Sequence, residues 1–207
     1  MAASGLYLVI TEPAIPHATL AAAAVARAVP VIQLREKHLP DEELGALARA
    51  LVQATRGSET LFILNDRPDL AAAVGADGVH VGRDDTDAAT ARRIVGPDAI
   101  VGVSANTPDE IEAAVRAGAD YVGVGPIYPT ATKPDACPPI GTQGLLTVTH
   151  AAVALPTVAI GGITRANAPE VLEAGADYVA VVSAICHADD PVKALDAFLS
   201  ALSEKAT

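Results

Sequence analysis

Aromatic side chains are scarce: they make up 3% of the 207 residues, while the hydrophobic set as a whole makes up 51%. A core with so few rings has to be assembled from Ala, Val, Leu and Ile, which suits close packing of helices on a sheet. Cysteine is scarcer still. Cys137 and Cys186 lie far apart and fit no metal-ligand spacing, so the chain carries neither a disulfide framework nor a zinc motif, and a reducing compartment is expected. Positive charge is in deficit, with 14 Lys+Arg against 25 Asp+Glu and a formal net charge of −11. That balance opposes nucleic-acid binding, which needs a basic surface, but a small anionic ligand needs only a few local cations. Long apolar runs are missing too. "TLAAAAVARAV" (19–29) falls short of the ~20 residues of a membrane span, and "MAASGLYLVITEP" lacks the basic region of a signal peptide. A soluble, cytoplasmic protein without membrane contact is expected. With no low-complexity linker, the whole chain, 1–207, reads as one domain.

What is present is a rhythm. Short runs rich in Val, Ile and Leu alternate with Ala-rich helical stretches. Strands are expected at Leu6–Thr11, Val31–Arg35, Leu61–Asn65, Gly78–Val81, Ile100–Ser104, Tyr121–Val124, Thr157–Ile160 and Tyr178–Val182. Helices are expected near 17–27, 41–55, 67–74, 87–95, 108–117, 142–153, 167–174 and 190–203. Near-continuous apolar strands joined by helices imply parallel βαβ units. "TPDEIEAA" (107–114) offers Thr107 and Glu110 as a capping box around Pro108. A phrase recurs: "VGADGVHVG" from Val74, "AGADYVGVG" from Ala117 and "AGADYVAVV" from Ala174. Each copy closes a helix on a glycine and opens the fourth, sixth or eighth strand. Eight βα units with a pseudo-repeat at every second one predict a (β/α)₈ TIM barrel, in preference to an open doubly wound sheet, because no Gly-rich dinucleotide fingerprint follows the first strand.

In such a barrel the chemistry sits at the carboxyl ends of the strands. The second strand ends in "VIQLREK": Gln33, Arg35 and Lys37 share one face, while Leu34 and Glu36 face the other way. Two cations and an amide converging on the barrel mouth call for an anionic partner. The third strand ends in Asn65 and Asp66, and Asp84 and Asp85 follow the fourth. Carboxylates on neighbouring strand ends, beside cations, suit a Mg²⁺ bridging phosphate oxygens; a helix cap is the plainer reading of Asp66. His80 reads as a satisfied core histidine or a pocket wall. Ser104 ends the fifth strand, as a ligand donor or a turn residue. After the sixth strand comes a Pro-rich loop bearing Thr130, Ala131, Thr132 and Lys133. A long loop in a compact domain usually has a function. Gly161 and Gly162 after the seventh strand, with Val182 and Ser183 after the eighth, suit phosphate binding through backbone N–H groups. His17, His38, His150 and His187 read as structural or solvated, and no Cys/His nucleophile pair is visible.

Together these segments resemble the thiamine phosphate synthase family over nearly the whole chain: "QLREK" (33–37), "ND" (65–66), "ADGVHVGRDD" (76–85), "GVSANT" (102–107), "GADYVGVGPIYPTATK" (118–133), "IGGIT" (160–164) and "VVSAI" (181–185). The resemblance implies a transferase on a (β/α)₈ barrel that joins a hydroxymethylpyrimidine diphosphate to a hydroxyethylthiazole phosphate and releases pyrophosphate by a Mg²⁺-assisted, dissociative route. It assigns the pyrimidine diphosphate to Gln33, Leu34, Arg35, Glu36, Lys37, Asn65, Ser104 and Lys133, with Arg35, Lys37 and Lys133 catalytic. It assigns Mg²⁺ to Asp66 and Asp85, and the thiazole phosphate to Thr130, Ala131, Thr132, Gly162, Val182 and Ser183. The partners implied are two small phosphorylated substrates, and a homo-oligomer is open. Arg83 and Asn106 depart from the family, which more often has Gln and His there. The alternatives are a TenI-like thiazole tautomerase on the same fold, a sugar-phosphate isomerase or epimerase, which would need a general base, and a non-catalytic barrel that binds a phosphorylated ligand.

Overall fold

The computed structural model describes residues 5–83, 85–133, 137–152 and 154–203. Eight parallel strands close into a barrel in sequence order. They are β1 (Leu6–Ile10), β2 (Val31–Leu34), β3 (Leu61–Asn65), β4 (Gly78–Val81), β5 (Ile100–Ser104), β6 (Tyr121–Val124), β7 (Thr157–Ile160) and β8 (Tyr178–Val181). The helices outside are α1 (His17–Val25), α2 (Asp41–Thr55), α3 (Pro68–Val74), α4 (Ala88–Val95), α5 (Pro108–Arg116), α6 (Gly141–Ala151), α7 (Ala168–Glu173), α8 (Ser183–Cys186) and α9 (Pro191–Ser203). Among the described residues no helix is long and apolar enough to cross a membrane. The expected elements are all found, with ends displaced by a residue or two where helices fray and strands leave the ladder.

The period of two along each strand divides the interior into two cores. One set, including Leu8, Ile32, Phe62, Val101 and Val179, packs outward on the helices. The other, Tyr7, Val9, Val31, Ile63, Tyr121, Val158, Tyr178 and Ala180, fills the barrel. The few aromatics are therefore placed with purpose: three of the four tyrosines are inside the barrel. Glycine makes room for them. A methyl on Gly102 of β5 would lie 2.0 Å from the ring of Tyr121 on the next strand. Large side chains thus face small ones across neighbouring strands, which is how a small barrel fills without voids.

The repeated phrase has a structural cause. Its aspartate accepts a hydrogen bond from a backbone N–H on the preceding strand: Asp77 from Phe62 at 2.7 Å, Asp120 from Val101 at 2.7 Å and Asp177 from Thr157 at 2.8 Å. The glycine before it closes each helix with positive φ, at 73°, 77° and 94° for Gly75, Gly118 and Gly175. The motif is a clamp on the amino end of the barrel, the end away from the reactive side chains. The expected capping box is formed at Thr107 and Glu110.

Candidate active site

The carboxyl ends of the strands surround a mouth of ≈ 220 Å³. β2 carries Gln33 up its inner face, and Arg35 and Lys37 continue the same alternation beyond the strand; all three line the mouth. Among the described residues the Arg35 guanidinium has no carboxylate within ion-pair distance, so it is available to an anion. Leu34 and Glu36 point elsewhere. Leu34 is fully buried against the helices. Glu36 accepts from the Glu12 backbone N–H at 2.6 Å and pairs with His17 Nε2 at 2.7 Å, holding the β1 and β2 loops together. Within "QLREK", then, alternation brings only Gln33, Arg35 and Lys37 to the mouth.

Asn65 and Asp66 close β3 at the mouth. Asp66 has φ of 61°, a left-handed conformation that aspartate tolerates better than most residues. Its N–H donates to the His80 carbonyl at 2.8 Å, and its carboxylate pairs with Lys37 Nζ at 3.0 Å. The Asp85 carboxyl lies against that of Asp66 and accepts from Gly82 N–H at 3.2 Å. Burial raises its pKa, the facing Asp66 adds to the effect, and Lys37 and the Gly82 N–H oppose it. Asp84 lies outside the described residues. No cluster of three or more His, Cys, Asp or Glu side chains is placed to hold a metal among the described residues. Two opposed carboxylates are nevertheless a donor set that fits Mg²⁺, which commonly takes one or two carboxylates and completes its shell with water and phosphate oxygens.

On the opposite wall, Thr130, Thr132 and Lys133 line the mouth, and the Thr130 hydroxyl accepts from Thr132 N–H at 3.3 Å. Ala131 is exposed and outside the lining. Gly162, Val182 and Ser183 complete this side. A methyl on Gly162, whose φ is 64°, would meet the Pro129 carbonyl at 2.5 Å, so the β6 and β7 loops touch only because glycine stands there. Ser183 opens α8, and the first N–H groups of a helix have no partner within it.

Two members, Tyr7 and Tyr121, are not marked by the sequence pattern. Tyr7 and Tyr121 are hydrogen-bonded inside the barrel at 2.8 Å; Gln33 Nε2 donates to the Tyr7 hydroxyl at 2.8 Å. His80 contacts the Tyr121 hydroxyl through Nδ1 at 3.0 Å and Ser104 Oγ through Nε2 at 3.1 Å. His80 is thus both satisfied and part of the wall. Burial holds its pKa down at about 4, with Asp85 opposing and Arg35 adding to the shift. Asn106 bonds the N–H and the carbonyl of Gly125, at 2.8 and 2.7 Å, and so anchors the root of the β6 loop. Arg83 bridges Glu110 at 3.1 Å and Cys137 Sγ at 2.7 Å, tying the β4 loop to the far side of the β6 loop. The signal that could have found the tyrosines was their rarity in otherwise aliphatic strands.

Fold and site define a (β/α)₈ barrel enzyme whose cations, paired carboxylates and glycine-rich loops gather at the carboxyl ends of the strands. The family model for thiamine monophosphate synthase matches residues 6–185. Thiamine-phosphate synthases of Chloroflexus aurantiacus and Moorella thermoacetica are each 49% identical to the chain, over 92% of it and 88% of the first relative, and over 89% of it and 89% of the second. A solved structure, thiamine phosphate pyrophosphorylase from Pyrococcus furiosus, superposes with a TM-score of 0.87 at 36% identity, covering 98% of this chain and 97% of that one. The chain belongs to the thiamine monophosphate synthase family, and it is a transferase.

Proposed function

We propose that the protein joins 4-amino-5-hydroxymethyl-2-methylpyrimidine diphosphate to 4-methyl-5-(2-hydroxyethyl)thiazole phosphate, giving thiamine phosphate and pyrophosphate by a dissociative substitution. One observation supports the mechanism: a single mouth sets Arg35, Lys37 and Lys133 and a pair of facing carboxylates beside a second, glycine-rich wall. The first group suits a diphosphate and the second a monophosphate.

The bond between the pyrimidine methylene and the diphosphate oxygen breaks, and its electron pair leaves with pyrophosphate. Arg35, Lys37 and Lys133 stabilise the charge gathering on that leaving group. Asp66 and Asp85 would hold Mg²⁺, which when bound supplies Lewis-acid stabilisation of the departing oxygens. The thiazole ring, held by its phosphate at Thr130, Thr132, Gly162 and Ser183, then offers its nitrogen lone pair to the methylene carbon, forming the C–N bond. Holding both partners in one mouth converts this capture into an intramolecular step. The nitrogen carries no proton, so no general base is required. His80, with its pKa held near 4, is poorly matched to the base that an isomerase or epimerase would need at neutral pH.

The same reading places the protein in the cytoplasm, acting on two small substrates and on no nucleic acid. The free cysteines, Cys137 exposed and Cys186 buried, suit a reducing compartment. The test is to supply both substrates with Mg²⁺ and quantify products. Thiamine phosphate and pyrophosphate are expected in equal amounts; binding of either substrate without product at saturation would favour a ligand-binding barrel instead.

A further inference from the structure

Five side chains form one unbroken hydrogen-bonded chain through the barrel, from Gln33 through Tyr7, Tyr121 and His80 to Ser104. Both ends face the mouth, and the middle is buried, with Tyr7 1% and Tyr121 2% exposed. Each hydroxyl has one proton, and a neutral imidazole has one. With the Gln33 amide nitrogen facing Tyr7, these counts set one direction along the chain. Gln33 Nε2 donates to Tyr7, so the Tyr7 proton goes to Tyr121, and the Tyr121 proton goes to His80 Nδ1. An imidazole that accepts at Nδ1 carries its proton on Nε2, which donates to Ser104 Oγ. The second Nε2 proton of Gln33 is directed at Tyr121 as well, which leaves the Gln33 carbonyl oxygen to accept at one end of the mouth and a Ser104 proton to donate at the other.

The chain has one alternative order, with every link reversed. A mixed order would make one tyrosine oxygen accept from both sides and leave its own proton without a partner in a buried place, at the cost of an unsatisfied polar group. The ends are therefore always opposite in character.

We propose that Tyr7, Tyr121 and His80 are positioning residues that couple the hydrogen-bond polarity of Gln33 to that of Ser104, so that the mouth selects a heterocycle bearing a donor on the β2 side and an unprotonated ring nitrogen on the β5 side. This rests on the proposed reaction for its ligand: an aminopyrimidine has that pattern, and the 4-oxo analogue with a protonated ring nitrogen has the reverse.

The tautomer of His80 reads the order directly. Long-range ¹H–¹⁵N spectra of the full-length, ligand-free protein, with His80 assigned through a His80→Asn variant, should show the proton on Nε2. In Gln33→Glu the carboxylate can only accept, so the chain reverses and the proton moves to Nδ1. In Tyr121→Phe/Gln33→Glu the link to His80 is cut, and that shift is lost. An Nδ1 proton in the wild type, or a folded Gln33→Glu protein with an unmoved tautomer, overturns the proposal. Should Gln33→Glu not fold, calorimetric binding decides. Wild type should prefer the 4-amino over the 4-oxo pyrimidine diphosphate, and Tyr121→Phe should narrow that preference at least tenfold; an unchanged preference overturns the coupling. The spectra need no turnover, so an inactive protein whose tautomer switches would sink the proposed reaction alone, and an active one whose tautomer never moves would sink the coupling alone.

Discussion

At the scale of the residue, the site depends on small side chains as much as on charged ones. Gly102 exists so that Tyr121 can point inward, and Gly82 leaves the Asp85 carboxyl a place to fold, since a methyl there would come within 2.5 Å of Asp85 Oδ2. Asp66 accepts a left-handed backbone, and in that conformation its carboxylate lies between Lys37 and Asp85. Such a conformation persists only where surrounding contacts hold it, and it is common at functional sites. Gly102→Ala is expected to push the Tyr121 ring aside and break its bond to His80. Overpacking of this kind costs roughly 1–3 kcal/mol. A urea melt should show the lower midpoint with an unchanged slope; a midpoint equal to wild type would mean that the ring has room that the barrel does not show.

At the scale of the element, the barrel divides its labour by end. The three repeated aspartates clamp the amino ends of β3, β5 and β7, away from the mouth. Asp77→Ala removes the acceptor for the Phe62 N–H. A hydrogen bond to a charged group contributes about 1.5–3 kcal/mol, so stability should fall by that order. Turnover at a temperature well below the melt should stay near wild type, and a selective loss of activity would show that the clamp reaches the mouth.

The strands, the helices and the cationic end of β2 were legible because period and alternation are local properties. "VIQLREK" states its own faces, and Leu34 and Glu36 do turn away as alternation requires. The interior tyrosines were not legible. β1 and β6 are apolar on both faces, so period two cannot say which face looks inward. Closure also joins Tyr7 to Tyr121 across 114 positions, a pairing that no local pattern encodes. The partners of Arg83 were hidden for the same reason: Glu110 reaches it from the first turn of α5 and Cys137 from the β6 loop.

At the scale of the whole molecule, a chain of net charge −11 collects Arg35, Lys37 and Lys133 around one opening. Among its described lining residues Arg35, Lys37, Arg83 and Lys133 outnumber Asp66 and Asp85, and a cleft with that excess of positive charge draws in anionic ligands even when the surface as a whole repels them. The barrel makes this concentration possible, because eight strand ends that are distant in sequence meet around one mouth. The paired carboxylates would then have to be neutralised by the cation that accompanies the diphosphate, and this is the central claim. It is tested by measuring thiamine phosphate formation, with both substrates saturating, as Mg²⁺ is titrated into the wild type and into Asp66→Ala. Wild type should rise from near zero to a plateau, with one pyrophosphate per product. Asp66→Ala should need at least tenfold more Mg²⁺ and reach a lower plateau. Product formation that ignores Mg²⁺, or superimposable curves for the two proteins, would contradict the claim.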